Sequence, residues 1–437
     1  MSSGLIIFIL ALFVRSINLL FQDLNIDTYI VEDQKIYWEW SLKNAYTSRS
    51  MLSENLLTER MPGSFFYFQF LQLLTNKSLF FILFIQSIVD AFSCVIIANC
   101  AYLIKNKYKL YVGLFAAFSP LLIITSSQVL SDTLFLFCFV ISLYYLLKFI
   151  KFNNNFYILI SGLMLGVSTF VRAATFPLIF LSLPIIFFII KHKVDKNSKS
   201  TILLAFYLIF ALIPISDRLY KNFVNYNTIA LTSQVGSHAA YWMVPGVLSI
   251  DEKYDREQAI KYVNLQIDRK GGLTGKPFID SDKMLMIAKD ILLDQSLINI
   301  SYAWIRASVL NTIISPILLD NRVRNLSHPS FAKTGSINIW LKNIILNKQY
   351  MGYFSLLIIS AILSILGLIS ILWGFCILIK SNLKLFLLSI ILIIYFCLIT
   401  GPTLSPKYCI PYVPIIFYLQ AIVLDRLFSF YKYRIQR

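Results

Sequence analysis

The apolar positions of this chain neither alternate nor trace one stripe of a half-buried helix. They come as solid runs, at 4–21, 78–104, 110–126, 128–148, 155–171, 173–190, 201–216, 351–379, 385–401 and 408–426. Each is close to or above the roughly 20 residues that carry a helix across a bilayer. Lipid offers no partner to a free backbone, so such runs must cross as helices. The pattern predicts an all-α polytopic membrane protein of about ten transmembrane helices. Two hydrophilic stretches, 22–77 and 217–350, break the pattern. Residues 297–319 inside the second form an eleventh apolar run with Arg306 at its middle, where a lipid-facing charge would be costly. We expect an interfacial amphipathic helix there, with eleven spans as the alternative.

Composition agrees. The 437 residues are 58% hydrophobic and only 14% charged, against roughly a quarter charged in soluble domains. No repeat of fixed period divides the chain, which predicts one integrated unit over 1–437. The formal net charge of +17 is not read as nucleic-acid affinity, because lysines crowd the short loops 105–109, 148–151 and 191–199 while the opposite turn 119–128 has none. Basic loops stay inside, so the N-terminus is expected on the cytoplasmic side, with 22–77 and the start of 217–350 facing outward. All six cysteines fall in apolar runs, so no disulfide framework is expected in the loops. With no basic leader or small-residue cleavage site, residues 4–21 read as a retained span. Frequent Ile, Lys and Asn point to an AT-rich genome and hence to a bacterial cytoplasmic membrane.

Against this background a few ionisable groups stand at the outward ends of spans: Asp132 at the start of the fourth, Arg172 in the turn after the fifth, Lys407 before the last and Arg60 late in the first outward loop. That loop also carries YIVEDQKIYWEW at 29–40, with Glu32 and Asp33 set among Tyr37, Trp38 and Trp40. Plainer roles exist for each. Ser131, Asp132 and Thr133 suit a helix cap, Arg172 and Lys407 could snorkel to headgroups, and Asp33 could face water. As a group they suit phosphate chemistry. Cations hold a lipid phosphate, and a carboxylate takes a proton from an attacking hydroxyl or amine, or ligates a divalent metal. The aromatics would line a sugar site or form an interfacial belt. His238 lies in the outer loop and could join. The three histidines are scattered, and neither G-x-x-x-x-G-K-[ST] nor H-E-x-x-H occurs.

In these features the chain resembles the polytopic GT-C glycosyltransferases of the protein-mannosyltransferase and aminoarabinose-transferase-like superfamily, from residue 5 to about 190 and again at 401–424. The resemblance rests on Asp33-Gln-Lys-Ile-Tyr37, Arg60-Met-Pro62-Gly63, Ser119-Pro120, Ser131-Asp132-Thr133, Gly162 and Gly166 before Arg172, and Lys407-Tyr408-Cys-Ile-Pro411 with lysine where arginine is usual. It implies a sugar moved with inversion from a polyprenyl-phosphate donor to a glycan, lipid or protein acceptor at the outer face. Asp33 would be base or metal ligand and Asp132 a second carboxylate. Arg60, Arg172 and Lys407 would bind phosphate, and Tyr37, His238 and Tyr408 would contact substrate. The family's acidic pair is often Asp-Glu; here it is Glu32-Asp33, so Glu32, and Asp27 too, remain candidates. A divalent ion is one option left open. Two other readings stand beside it: an O-antigen-type polymerase or ligase with its essential residues in 217–350, and a transporter or flippase, for which the long runs offer little polar beyond Asp90.

Overall fold

The computed structural model describes residues 2–42, 58–193, 197–251, 254–329 and 336–435. Residues 43–57 of the first hydrophilic stretch and Lys196 of the third lysine-rich loop lie outside them. Helices dominate, and no strand occurs among the described residues. Every expected apolar run is helical. Seven helices are long and apolar enough to cross a membrane: Ser3–Leu20, Leu79–Ile104, Asp132–Phe152, Ser198–Tyr226, Lys348–Ser381, Leu383–Thr400 and Pro406–Tyr431. The count becomes nine if two bent pairs each make one span, and Asn155–Val171 is a shorter apolar helix.

Boundaries moved in several places; the lysine-bearing segment 148–151, expected as a loop, is helical, and the last helix runs on to Ile435. The fourth run starts its helix at Asp132, not 128. The run ending at 216 continues to Tyr226, so the long hydrophilic stretch begins on a helix rather than a loop. Leu297–Ile313 is a helix outside the set able to span, with Arg306 exposed.

The bends have sequence causes. Asn106–Ala117 and Pro120–Ser126 meet at 52°. Pro120 has no N–H to donate and disfavours helical backbone at the residue before it, so the break strands carbonyls at the end of the first half. Arg15, in the first span, answers them. Its guanidinium donates to the carbonyls of Ala117 at 2.9 Å and Ala116 at 3.4 Å, and to Ala11 at 3.0 Å, while its Nε lies 2.6 Å from an Asp90 carboxylate oxygen. Both partners are fully buried. Asp90, the acidic group within the second apolar run, is therefore tied to a broken helix. Asn18, one turn on, reaches Ser127 at 3.2 Å.

The apolar core falls in three clusters. The largest joins the spans. A second binds the first hydrophilic stretch, where Tyr37, Trp38 and Trp40 pack with Phe65, Phe68 and Leu83. Trp38 and Trp40 are thus core, not a membrane-interface belt. The third, around Ala240, Val263 and Ile287, holds the helices of the large loop together.

Candidate active site

The helix Asp33–Leu42 begins immediately after Glu32, whose φ of 51° lies in the left-handed region that side chains seldom adopt. That turn separates two neighbouring carboxylates. Glu32 points out to Arg324 of the large loop at 3.4 Å and is mostly exposed. Asp33 turns inward, 3.0 Å from Arg60 and 3.6 Å from Lys407 Nζ. Asp27 is exposed and stands apart from this cluster.

The loop is docked against the turn that precedes Asp132. The Tyr29 hydroxyl donates to the carbonyl of Ser127. Gln34 accepts from the Val129 N–H at 2.9 Å, and the Tyr37 hydroxyl reaches Ser131 Oγ at 3.4 Å. Ser131 makes no side-chain cap, and Asp132 opens its helix paired to Arg172. A capping role therefore does not account for this trio.

Close approach of backbones brings Arg60 beside Arg172. A Cβ on Gly63 would lie 2.7 Å from the Phe170 carbonyl oxygen, so only glycine lets the helix Pro62–Leu74 start there. Ser64 fastens the approach by donating to the Val171 carbonyl at 3.2 Å. Lys407 is positioned from the large loop. Buried Asn311 donates to the Thr403 carbonyl at 2.8 Å and accepts from the Ser405 N–H at 2.7 Å, setting the extended chain that delivers Lys407. His238 joins from the same loop, its Nε2 3.1 Å from the Thr400 carbonyl. Tyr37 and Tyr408 both lie within electrostatic reach of Arg172.

The charges around Asp33 are unequal: one carboxylate faces two cations, Arg60 and Lys407, while Arg60 also feels the charge of Glu59. Burial pushes the Asp33 carboxyl up, but Arg60 and Lys407, with Arg172 further off, outweigh it and hold Asp33 below the usual carboxylate range. Burial lowers the His238 imidazole; the Thr400 carbonyl opposes this, and the charges of Arg172 and Arg60 reinforce it, leaving the ring biased to neutral. Arg60 keeps one buried donor, Nε, with no hydrogen-bond partner. Among the described residues no three His, Cys, Asp or Glu side chains come together to hold a metal ion, and Asp33 and Asp132 already face cations. We therefore derive no step through a metal.

Thus Asp33, Asp132, Arg60, Arg172, Lys407, Tyr37, Tyr408 and His238 converge from five separate stretches of chain, while Glu32 does not join them. Gln34 and Asn311, which hold the loop and Lys407 in place, were not anticipated. No charge or hydropathy signal in the sequence marks them.

Residues 59–220, which include Arg60, Asp132 and Arg172, match the family model of dolichyl-phosphate-mannose-protein mannosyltransferases. No curated protein matches the sequence. Among solved structures the chain is similar to the archaeal oligosaccharyltransferase AglB from Archaeoglobus fulgidus, in complex with an inhibitory peptide and a dolichol-phosphate. The similarity has a TM-score of 0.52 and 13% identity, over 99% of this chain and 52% of that one. ArnT from Cupriavidus metallidurans bound to undecaprenyl phosphate aligns over 96% of this chain and 75% of that one, at 12% identity and a TM-score of 0.42. The chain spans about half the length of AglB. The family match covers little more than a third of the chain, and at 13% identity the likeness to AglB shows a shared fold.

Proposed function

We propose that this protein is a membrane glycosyltransferase that moves a sugar from a polyprenyl-phosphate donor to an acceptor at the membrane face carrying Asp33, the outer face of a bacterial cytoplasmic membrane. The observation that carries the reading is the surplus of cations around a half-exposed carboxylate. Arg60 and Lys407 both face the single carboxylate of Asp33, and Arg60 has a buried donor, Nε, with no hydrogen-bond partner. Such a site has room for one more anion.

In the reaction an acceptor hydroxyl or amine attacks the anomeric carbon and passes its proton to Asp33. The bond from that carbon to the phosphate oxygen breaks on the opposite side, and its electron pair leaves with the phosphate, so the configuration inverts. Arg60, Arg172 and Lys407 stabilise the negative charge that collects on the leaving group. Binding and basicity are coupled. In the unliganded site Arg60 and Lys407 hold the Asp33 carboxyl low and weaken it as a base. A donor phosphate competes for the same two cations and returns Asp33 toward its ordinary basicity. Asp132, held by Arg172, orients that guanidinium rather than taking the proton. A cavity of about 200 Å3 lined by Glu59, Asp280, Ser233, Ser237 and Tyr241 opens at the residue before Arg60, and its carboxylates and hydroxyls suit a hydroxyl-bearing acceptor.

The transporter reading receives no support, since the buried Arg15–Asp90 pair is closed on itself. The phosphate assignment is tested by retention of undecaprenyl phosphate on the purified full chain in native mass spectrometry. Wild type should keep the lipid, and the Arg60→Gln/Lys407→Gln double variant should lose at least tenfold in retention, about 1.4 kcal/mol. Equal retention would overturn the assignment.

A further inference from the structure

At the end of the bundle remote from Asp33, a cleft of about 250 Å3 opens between three elements. Lys105 follows the end of the helix Leu79–Ile104, and the next turn adds Lys107 and Tyr108. Ser381 ends the helix Met351–Ser381, and Asp425 and Arg426 come from the last helix. That helix starts at Val413 near Lys407, and reaches Asp425 about 18 Å further along its axis. The cleft therefore lies toward the opposite membrane face from the candidate transfer site.

Its charges are unequal. Asp425 is the one carboxylate lining it. Lys107 pairs with Asp425, and the Tyr108 hydroxyl sits 3.5 Å from the same carboxylate. Tyr108 itself is buried, edge-on to Tyr418 with ring centroids 5.4 Å apart, so this wall is rigid. Lys105 stands over the Tyr108 ring at 5.6 Å. Among the described residues neither Lys105 nor Arg426 has a carboxylate within ion-pair reach. Ile377 gives the cleft an apolar wall, and Leu427 and Phe428 on the last helix are exposed, apolar surface along which an acyl chain would run. Two unanswered cations and a serine hydroxyl above an apolar flank form a recess for a phosphate ester that carries its own hydrocarbon.

We infer that this cleft is a headgroup site for an anionic glycerophospholipid of the leaflet opposite the transfer site, its phosphodiester held by Lys105 and Arg426 and a headgroup hydroxyl by Ser381. The inference does not depend on the proposed transfer reaction. Basic recesses between helices at a membrane surface are a general means of holding anionic lipid. Two such cations favour anionic over zwitterionic lipid by roughly thirtyfold.

The test is binding of short-chain fluorescent phosphatidylglycerol to the full chain in neutral-detergent micelles. Phosphatidylcholine with the same tails is compared, and inorganic phosphate is the competitor. Phosphatidylglycerol should bind at least tenfold tighter than phosphatidylcholine. The preference should vanish in Lys105→Gln/Arg426→Gln, and it should survive in Lys148→Gln, which removes a cation from an adjacent lysine-rich loop but not from the cleft. Millimolar inorganic phosphate should not displace the lipid. Equal binding of the two lipids, equal loss in Lys148→Gln, or a phosphate that binds alone with the same residue dependence would each overturn the lipid site. Size-exclusion profiles matching wild type confirm that the variants are folded.

Discussion

Two arginine–aspartate pairs in this molecule use the same functional groups in different surroundings. Arg15–Asp90 lies inside the bundle, fully buried, with the guanidinium divided among one carboxylate and the carbonyls of a broken helix. Arg60–Asp33 lies at the membrane face, with Asp33 41% exposed on its side chain and a second cation, Lys407, sharing the carboxylate. The first pair is enclosed: one Asp per Arg, the arginine's donors engaged and no exposure that would admit a ligand, although Asp90 keeps one buried oxygen with no hydrogen-bond partner. The second is open, with two cations sharing the half-exposed Asp33 and an unused donor on Arg60. A charged pair at a span is therefore not by itself a site. Stoichiometry and access separate the structural pin from the reactive group.

The sharpest way to break this contrast is Asp33→Asn. It should cost sugar transfer about 10²- to 10⁴-fold, the usual contribution of a positioned general base, with helical content unchanged by circular dichroism. The buried pair should respond in stability. Arg15→Ala leaves Asp90 charged and unpaired, and the loss should be about 3–5 kcal/mol, read as thermal unfolding in detergent. Replacing both partners by Arg15→Met/Asp90→Leu should recover most of that loss, and a double variant as unstable as the single would show that the carbonyl contacts of Arg15 matter more than the pair. A smaller effect is expected at Arg60. Arg60→Gln should lower kcat/KM about 10²-fold; Arg60→Lys, which keeps the charge but not the fork, should recover only part of it.

The smallest effect concerns acid stability. His238 has its folded pKa depressed below the ordinary 6.5, so the unfolded chain binds the proton first. Its contribution to stability is present above pH 6.5 and is lost as pH falls from there through the folded value. His238→Gln should therefore flatten the decline in melting temperature below pH 6.5 while leaving the value at pH 7.5 near that of wild type. An unchanged decline would place the acid sensitivity elsewhere.

Much of the fold was legible because a bilayer makes its demand residue by residue: a solid apolar run has one way to satisfy its backbone. The break at Ser119-Pro120 was legible for a similar reason, since proline removes a donor wherever it stands. Arg15 was passed over, although one arginine in the first run and one aspartate in the second, each alone in its apolar run, are expected to find each other. The candidate cations stood out in the sequence as basic groups at the ends of apolar runs, and the structure brings Arg60 and Lys407 together. Which of Glu32 and Asp33 faces them was not legible, since the two are one peptide apart. A left-handed turn at Glu32 points Asp33 toward them, and no residue there announces it. The burial of Trp38 and Trp40 depends on the helix Pro62–Leu74 folding over them, a tertiary fact. Gln34 and Asn311 carry no charge, so nothing in a hydropathy pattern marks them as the residues that hold the loop and Lys407.

The central claim is that the open cluster, not the closed pair, performs glycosyl transfer. Its most direct test is transfer of radiolabelled sugar from a polyprenyl-phosphate donor pool by membranes holding wild type, Asp33→Asn or Arg15→Met/Asp90→Leu at matched levels. The account expects transfer by wild type and by the double variant, and none above background by Asp33→Asn. Full transfer by Asp33→Asn beside a transferring wild type would contradict it.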